Sequence, residues 1–205
     1  MNDDGETEVP DCWNGETLGV TGCERCPELV DSRSRIVDGV GPADADLLFV
    51  GEAPGAHEDQ QGEPFVGRSG TVLDDGLRNA GLDRVDVRIT NCVRCRPPEN
   101  RDPTTGEREN CRPYLDREIT AVDPELVVTL GKVPAERLLE RSVGVTTEAG
   151  EIAEIEVEEQ IYRLLICVHP AATLYDSSQK ETFERTLRAA AEYAGDGGQS
   201  TLGSF

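Results

Sequence analysis

Apolar residues along the chain fall into short runs separated by polar or Gly/Pro-rich stretches, and the spacing inside each run indicates its element. Leu47-Leu48-Phe49-Val50 is apolar throughout, too short for a core helix and bounded by glycine, so Asp46–Val50 is expected as a buried strand. Val87-Arg88-Ile89-Thr90 and the run from Pro124 to Gly131 read the same way. Elsewhere the period lengthens: Leu73, Leu77 and Ala80 recur at helical spacing, predicting a helix over Ser69–Ala80 with Gly81 as its C-cap. Helices are also expected over Glu107–Val122 and Val133–Leu139, with a polar one after Pro27 reaching about Ser34. Glu151–Val157 and Ile161–Val168 read as a β-hairpin joined near Glu158-Glu159-Gln160. Ser178-Gln179-Lys180-Glu181 fits a capping box for a last helix whose apolar stripe is Phe183, Leu187, Ala190 and Ala194. Strands alternating with helices predict an α/β fold, a three-layer α/β/α sandwich around a mostly parallel central sheet. One domain over residues 17–194 is expected, with an acidic disordered lead over 1–16 and a flexible tail over 195–205.

Composition narrows the setting. A chain of 205 residues fits one well-buried domain and not two ordinary ones. It has no run of about 18 apolar residues and no signal-peptide pattern at its acidic N-terminus, so a cytoplasmic monomer without membrane contact is expected. Lys and Arg number 20 against 41 Asp and Glu, a net charge of −21, and Lys132 and Lys180 are the only lysines. A surface so rich in acid and poor in lysine suits concentrated salt, where the Debye length falls to about 3 Å and self-repulsion is screened. A halophilic cytosol is inferred. The same charge argues against nucleic acid only weakly, because counterion release contributes little binding energy in high salt. A DNA-acting protein there relies on stacking, hydrogen bonds and pocket burial, helped by the local cluster Arg94, Arg96, Arg101, Arg108, Arg112 and Arg117.

Seven cysteines in a cytoplasmic protein point to metal rather than to disulfides. Cys23-x-x-Cys26 is a good ligand pair, and three candidates compete to complete it, Cys92, Cys95 and Cys111. Four thiolates hold zinc or an iron–sulfur cluster, and spacing does not decide between them. Either would staple the N-terminal lead onto the core. Cys12 and Cys167 carry no such signal.

The longest interruption, Gly51 to Gly70, leaves the carboxyl end of the first strand, which is where open α/β sheets place ligands. Within it Gly62-Glu63-Pro64-Phe65-Val66-Gly67-Arg68-Ser69 nearly matches a phosphate-binding loop. Arginine in place of the required lysine, and a strand that ends too early to feed the first glycine, exclude that reading; no nucleotide cofactor is expected. Phe65 reads instead as a pocket wall. Two other strands end in polar residues, at Asn91 and at His169, so an aromatic face, an amide and an imidazole could share one crevice. That set suits a planar heterocycle: the phenyl ring stacks, the amide makes a bidentate contact, and the imidazole donates to a carbonyl oxygen.

These stretches resemble the family 4 uracil-DNA glycosylases, the iron–sulfur branch of the uracil glycosylase superfamily. The resemblance rests on Gly51–Gly55, on Gly62–Gly70 with Pro64-Phe65-Val66-Gly67-Arg68, and on Thr90-Asn91 followed by Cys95-Arg96-Pro97-Pro98. It continues through Asn100-Arg101-Asp102-Pro103, Cys111-Arg112-Pro113 and His169-Pro170-Ala171-Ala172, spanning roughly Cys23 to Ala194. The resemblance implies a monofunctional enzyme that flips deoxyuridine from single- or double-stranded DNA and hydrolyses its glycosidic bond, leaving an abasic site. Phe65 would stack on the uracil, Asn91 would pair with N3–H and O4, and Glu58 would stand beside C5 against a thymine methyl group. His169 would stabilise the departing anion at O2. Ala53 occupies the place where a related family carries the water-positioning aspartate, so Glu52, the nearest carboxylate, is assigned to water positioning or active-site organisation. A structural [4Fe–4S] cluster on Cys23, Cys26, Cys95 and Cys111 is implied, with Cys92 left over, and Thr173 or Leu174 would enter the gap left by the flipped base. The chain lacks the basic, His-containing loop of the related DNA-crosslinking branch, so turnover is expected. With both lysines outside the motifs, no Schiff-base chemistry is expected. Two rival readings are a non-catalytic iron–sulfur or zinc nucleic-acid-binding module, and a glycosylase for another deaminated base.

Overall fold

In the computed structural model, which describes residues 18–194, five strands form one sheet. They are β1 (Leu47–Gly51), β2 (Arg88–Asn91), β3 (Leu126–Leu130), β4 (Ile152–Val157) and β5 (Gln160–Cys167), in the spatial order β2-β1-β3-β5-β4. Every pairing is parallel except the edge hairpin of β4 with β5. The expected acidic lead, the expected tail and Cys12 lie outside the described residues.

Seven helices flank the sheet: α1 (Pro27–Ser32), α2 (Ala56–Gln61), α3 (Arg68–Asn79), α4 (Thr105–Val122), α5 (Lys132–Leu139), α6 (Val145–Glu148) and α7 (Ser177–Ala191). The strand alternation assigns four of them to two layers. Leu47, Phe49, Val128, Leu130, Leu165 and Cys167 pack with Leu73 and Leu77 of α3 and Phe183, Leu187 and Ala190 of α7. Leu48, Val50, Val127, Leu164 and Ile166 pack with Leu115 and Ile119 of α4 and Ala135 and Leu138 of α5. Both faces of the parallel strands are thus covered, which is why those strands read as continuous apolar runs. Each fully buried Leu or Phe stabilises the sandwich by about 1.5–3 kcal/mol. The three-layer α/β/α architecture expected from the pattern is the one observed.

Three local expectations need correction. Ser178 does not cap the last helix: the helix starts at Ser177, so Asp176 is its N-cap and accepts from the Ser178 N–H (2.9 Å) and hydroxyl (2.7 Å). The working capping box is at Thr104, whose side chain accepts from Glu107 N while the Glu107 carboxylate accepts from Thr104 N. Ala194 lies past the end of α7, although it still packs on the core. The stretch Gly51–Gly70 is not all loop either. It contains α2, a six-residue turn too short to show a helical period.

Candidate active site

Parallel pairing brings the carboxyl ends of β1, β2 and β5 to one edge of the sheet. Gly51, Asn91 and, two residues past β5, His169 therefore meet there. Together with α2 and the start of α3 they enclose a cavity of about 200 Å³ lined by Glu52, Ala53, Gly55, Glu58, Phe65, Ser69, Asn91 and His169. All six site residues expected from the sequence outside the cysteines line it. Gly55, the N-cap of α2, and Ser69, at the N-terminal turn of α3, are the additions.

The cavity is built by close approach. A Cβ on Gly51 would fall 2.3 Å from Asn91 Oδ1 and 2.5 Å from the Phe65 ring, so only glycine lets amide and ring converge. The Phe65 and His169 ring centroids are 6.0 Å apart with planes 34° from parallel. Asn91 is only 3% exposed, and its Oδ1 is buried without a hydrogen-bond partner among the described residues. Leaving such a carbonyl unmet costs about 1–3 kcal/mol, which an N–H donor in the cavity would recover. His169 Nδ1 accepts from the Ala171 N–H at 3.1 Å. Burial pulls the imidazole below its ordinary pKa, so it is neutral at pH 7 and carries its proton on Nε2.

The two carboxylates of the cavity are held differently. Glu58 is bonded through both oxygens, Oε2 to Gly55 N (3.1 Å) and Oε1 to Val66 N (3.1 Å) and Gly67 N (3.0 Å). It organises the loop that carries Phe65. Among the described residues Glu52 has no such bond to a backbone amide; burial first, then the neighbouring Asp102 carboxylate, push its pKa above the usual range, while Arg108 opposes them. It can hold or release a proton nearer neutrality than an exposed glutamate.

Beyond Glu52 and Ala53 lies a small cluster of Leu29, Val93 and Cys95, with Cys26, Cys111 and Ala53 packed against it. The Cys95 thiol feels the charges of Cys23 and Cys26, and Cys111 those of Cys95 and Cys23, so the four thiols are electrostatic neighbours drawn from three segments. Burial pushes the Cys111 thiol up to about 12. Arg33 Nη1 donates to Cys95 Sγ at 2.9 Å, and Asn110 Nδ2 to Cys26 Sγ at 3.4 Å. Among the described residues, however, no three His, Cys, Asp or Glu side chains are disposed to hold a metal ion. Cys92 packs into the apolar layer beneath α4 and α5, and Cys167 into the opposite layer.

The arginines also divide. Arg94 is 2% exposed and paired with Asp38 and Glu118, Arg101 binds Glu28 and Glu107, and Arg112 binds Asp116. These three of the six clustered arginines hold the fold together rather than presenting free charge. A roomier cavity of about 340 Å³ runs between α3 and α7, but it contains no strand-end residue. Among the described residues no helix is long and apolar enough to cross a membrane.

Residues 39–191 match the family model of the uracil DNA glycosylase superfamily. The chain is 38% identical over 180 residues to a type-4 uracil-DNA glycosylase of Archaeoglobus fulgidus, covering 86% of this chain and 90% of that one. It is 39% identical over 178 residues to a type-4 uracil-DNA glycosylase of Pyrobaculum aerophilum, covering 82% and 87%. A type-5 uracil-DNA glycosylase of the same organism is 33% identical over 220 residues, covering 91% and 96%.

Proposed function

The chain belongs to the uracil DNA glycosylase superfamily, and on that footing we propose that it excises uracil from DNA as a type-4 enzyme, hydrolysing the N-glycosidic bond in DNA repair. The observation that carries the reading is the buried, unpartnered Asn91 Oδ1 opposite the Phe65 ring. The uracil edge offers N3–H to that oxygen and O4 to the Asn91 amide N–H. Cytosine presents the reverse at both positions, leaving two buried polar groups unmatched.

The base reaches this cavity only when extruded from the helix. Phe65 stacks on one face, and His169 donates its Nε2–H to O2 as negative charge builds on the departing uracil. A neutral imidazole acts here as a fixed dipole, not as a nucleophile. Glu52 holds the attacking water; Ala53 leaves space beside it. Glu58, with its oxygens committed to the loop, fills the flank assigned to C5 and opposes a thymine methyl group. On the turn Pro170–Leu174 the Thr173 hydroxyl is bonded back to the Pro170 carbonyl (2.9 Å), whereas Leu174 is 39% exposed. That exposure supports Leu174 rather than Thr173 as the apolar wedge. Lys132 and Lys180 stand outside the cavity beside Glu136 and Glu184, so neither lysine attacks the sugar.

Cys23, Cys26, Cys95 and Cys111 would hold a thiolate-bound [4Fe–4S] cluster; their donor type and the N–H groups aimed at two of the sulfurs support that reading. When bound, the cluster would cross-link the segment around α1 to α4 through these four thiolates.

If Glu52 positions water as a carboxylate, activity should rise with pH through its elevated pKa. Asp102→Asn removes the nearby negative charge and should move this acid limb to lower pH; a limb that stays in place would exclude Glu52 as the titrating group.

The reading is tested by release of uracil from an oligonucleotide in molar potassium chloride, with a thymine-containing oligonucleotide as control and the visible spectrum recorded beforehand. Uracil-only release with a broad iron–sulfur band is expected. A coloured protein that releases no uracil would favour the binding module or another deaminated base. Release by a colourless protein would overturn the cluster and keep the enzyme.

A further inference from the structure

Phe65 sits at φ 53°, in the left-handed region that a bulky L-residue avoids. Relaxation to negative φ would rotate the chain by more than a right angle about its N–Cα bond and carry the ring away from Asn91. Something must hold it.

The two peptide planes flanking the Phe65 Cα set its φ and ψ, and one side chain grips both. Arg84, in the single turn Arg84–Asp86, donates Nη2 to the Pro64 carbonyl and Nη1 to the Phe65 carbonyl (3.1 Å). The same Nη1 reaches Asp74 Oδ1 on α3 at 2.9 Å, which fixes the guanidinium from behind. The plane after Phe65 is caught at its other end too, through Val66 N to Glu58 Oε1. Below it Gly70 leaves the carbonyl room; a Cβ there would lie 1.8 Å from Phe65 O. Arg84, Asp74 and Gly70 do not line the cavity.

We propose that Arg84, oriented by Asp74, is a positioning residue that clamps Phe65 in its strained backbone conformation and so keeps the stacking ring ready before the base arrives. This rests on Phe65 being the stacking face for uracil. Lysine cannot replace arginine fully, because one ammonium does not present the planar fork that spans two successive carbonyls. The clamp holds the ring in place in the empty enzyme, so the base need not order it on arrival.

The test is a double-mutant cycle on the full chain, read both as uracil release and as inhibition by free uracil, with the melting temperature of each variant. Phe65→Ala should lose about 10- to 100-fold in kcat/KM, the size of one base–aromatic stack, and weaken inhibition by uracil comparably. Arg84→Met should reproduce part of both losses without exceeding them, and Arg84→Lys should fall between it and the parent. In the Phe65→Ala background Arg84→Met should change either quantity by no more than roughly twofold, since the ring it positions is gone. Losses that multiply in the double variant, or an Arg84→Met enzyme indistinguishable from the parent, overturn the clamp and leave the stacking role intact. A Phe65→Ala enzyme as active as the parent overturns both. Should Arg84→Met melt too low to assay, Arg84→Lys carries the same cycle.

Discussion

His169→Ala should lower kcat for uracil release by about 10²- to 10³-fold, the loss typical of removing one preorganised donor to a developing anion. The structure accounts for the size of the effect. Burial keeps the imidazole neutral, and the Ala171 N–H occupies Nδ1, so one proton, on Nε2, is left to meet the leaving group. Nothing must reorganise as charge develops, because tautomer and ring are already set by the backbone turn that follows. KM should change little, since a neutral carbonyl oxygen in the ground state gains far less from that proton than an anion does. Asn91→Ala provides the contrast: it removes recognition of the N3–H and O4 edge in ground and transition states alike, so uracil inhibition should weaken together with kcat/KM. Both variants should keep the visible band of the parent, because neither residue belongs to the cysteine group. A His169→Ala enzyme within tenfold of the parent would move the anion-stabilising role elsewhere in the cavity.

Strand ends were the legible part of this site. A run such as Leu47–Val50 reveals a buried strand, parallel sheets present their carboxyl ends together, and Asn91 and His169 each follow such a run. What escaped the sequence was whatever depends on contacts between distant segments. Asp102 and Arg108 set the environment of Glu52 from distant positions in the chain, and no spacing rule connects them. Glu58 could be placed near the base, but not as the group that ties Gly55 to Val66 and Gly67. The arginine-rich segment invited a single reading as a DNA-facing patch. Burial separated its members, because an arginine beside a buried glutamate and one on an open turn look alike in sequence. The cap of α7 was misplaced by two residues for a similar reason: Asp176 and Ser178 are both good caps, and only the backbone decides which one faces the free amides.

Arg94 is where the fold and the cysteine region become one problem. Glu118 on α4 is fully buried, its Oε1 accepting from Arg88 Nε (2.6 Å) and its Oε2 from Arg94 Nη2 (2.7 Å). Arg88 then holds the Gly41 and Gly39 carbonyls, and Arg94 holds Asp38 and the Leu18 carbonyl. One carboxylate thus anchors β2, the segment between Cys92 and Cys95, and, through Arg94, the strap from Leu18 to Asp38. Glu118→Gln keeps the shape but removes the charge, stranding a buried guanidinium that only Asp38 and carbonyl groups then face. The expected cost is about 3–5 kcal/mol, a large part of a typical domain stability of about 5–15 kcal/mol. For a chain of this size that corresponds to a melting temperature lower by roughly 6–20 °C, measured in molar salt where surface charge is screened. The damage should not stay local. The strap carries Cys23 and Cys26 toward Cys95, so a loosened Arg94 frees the cysteine segments to separate, and the variant should lose visible absorbance well below the temperature at which its helices melt. A Glu118→Gln protein that melts with the parent would mean that the carbonyl groups around Arg88 and Arg94 suffice to hold both guanidiniums, and that the strap is fastened elsewhere.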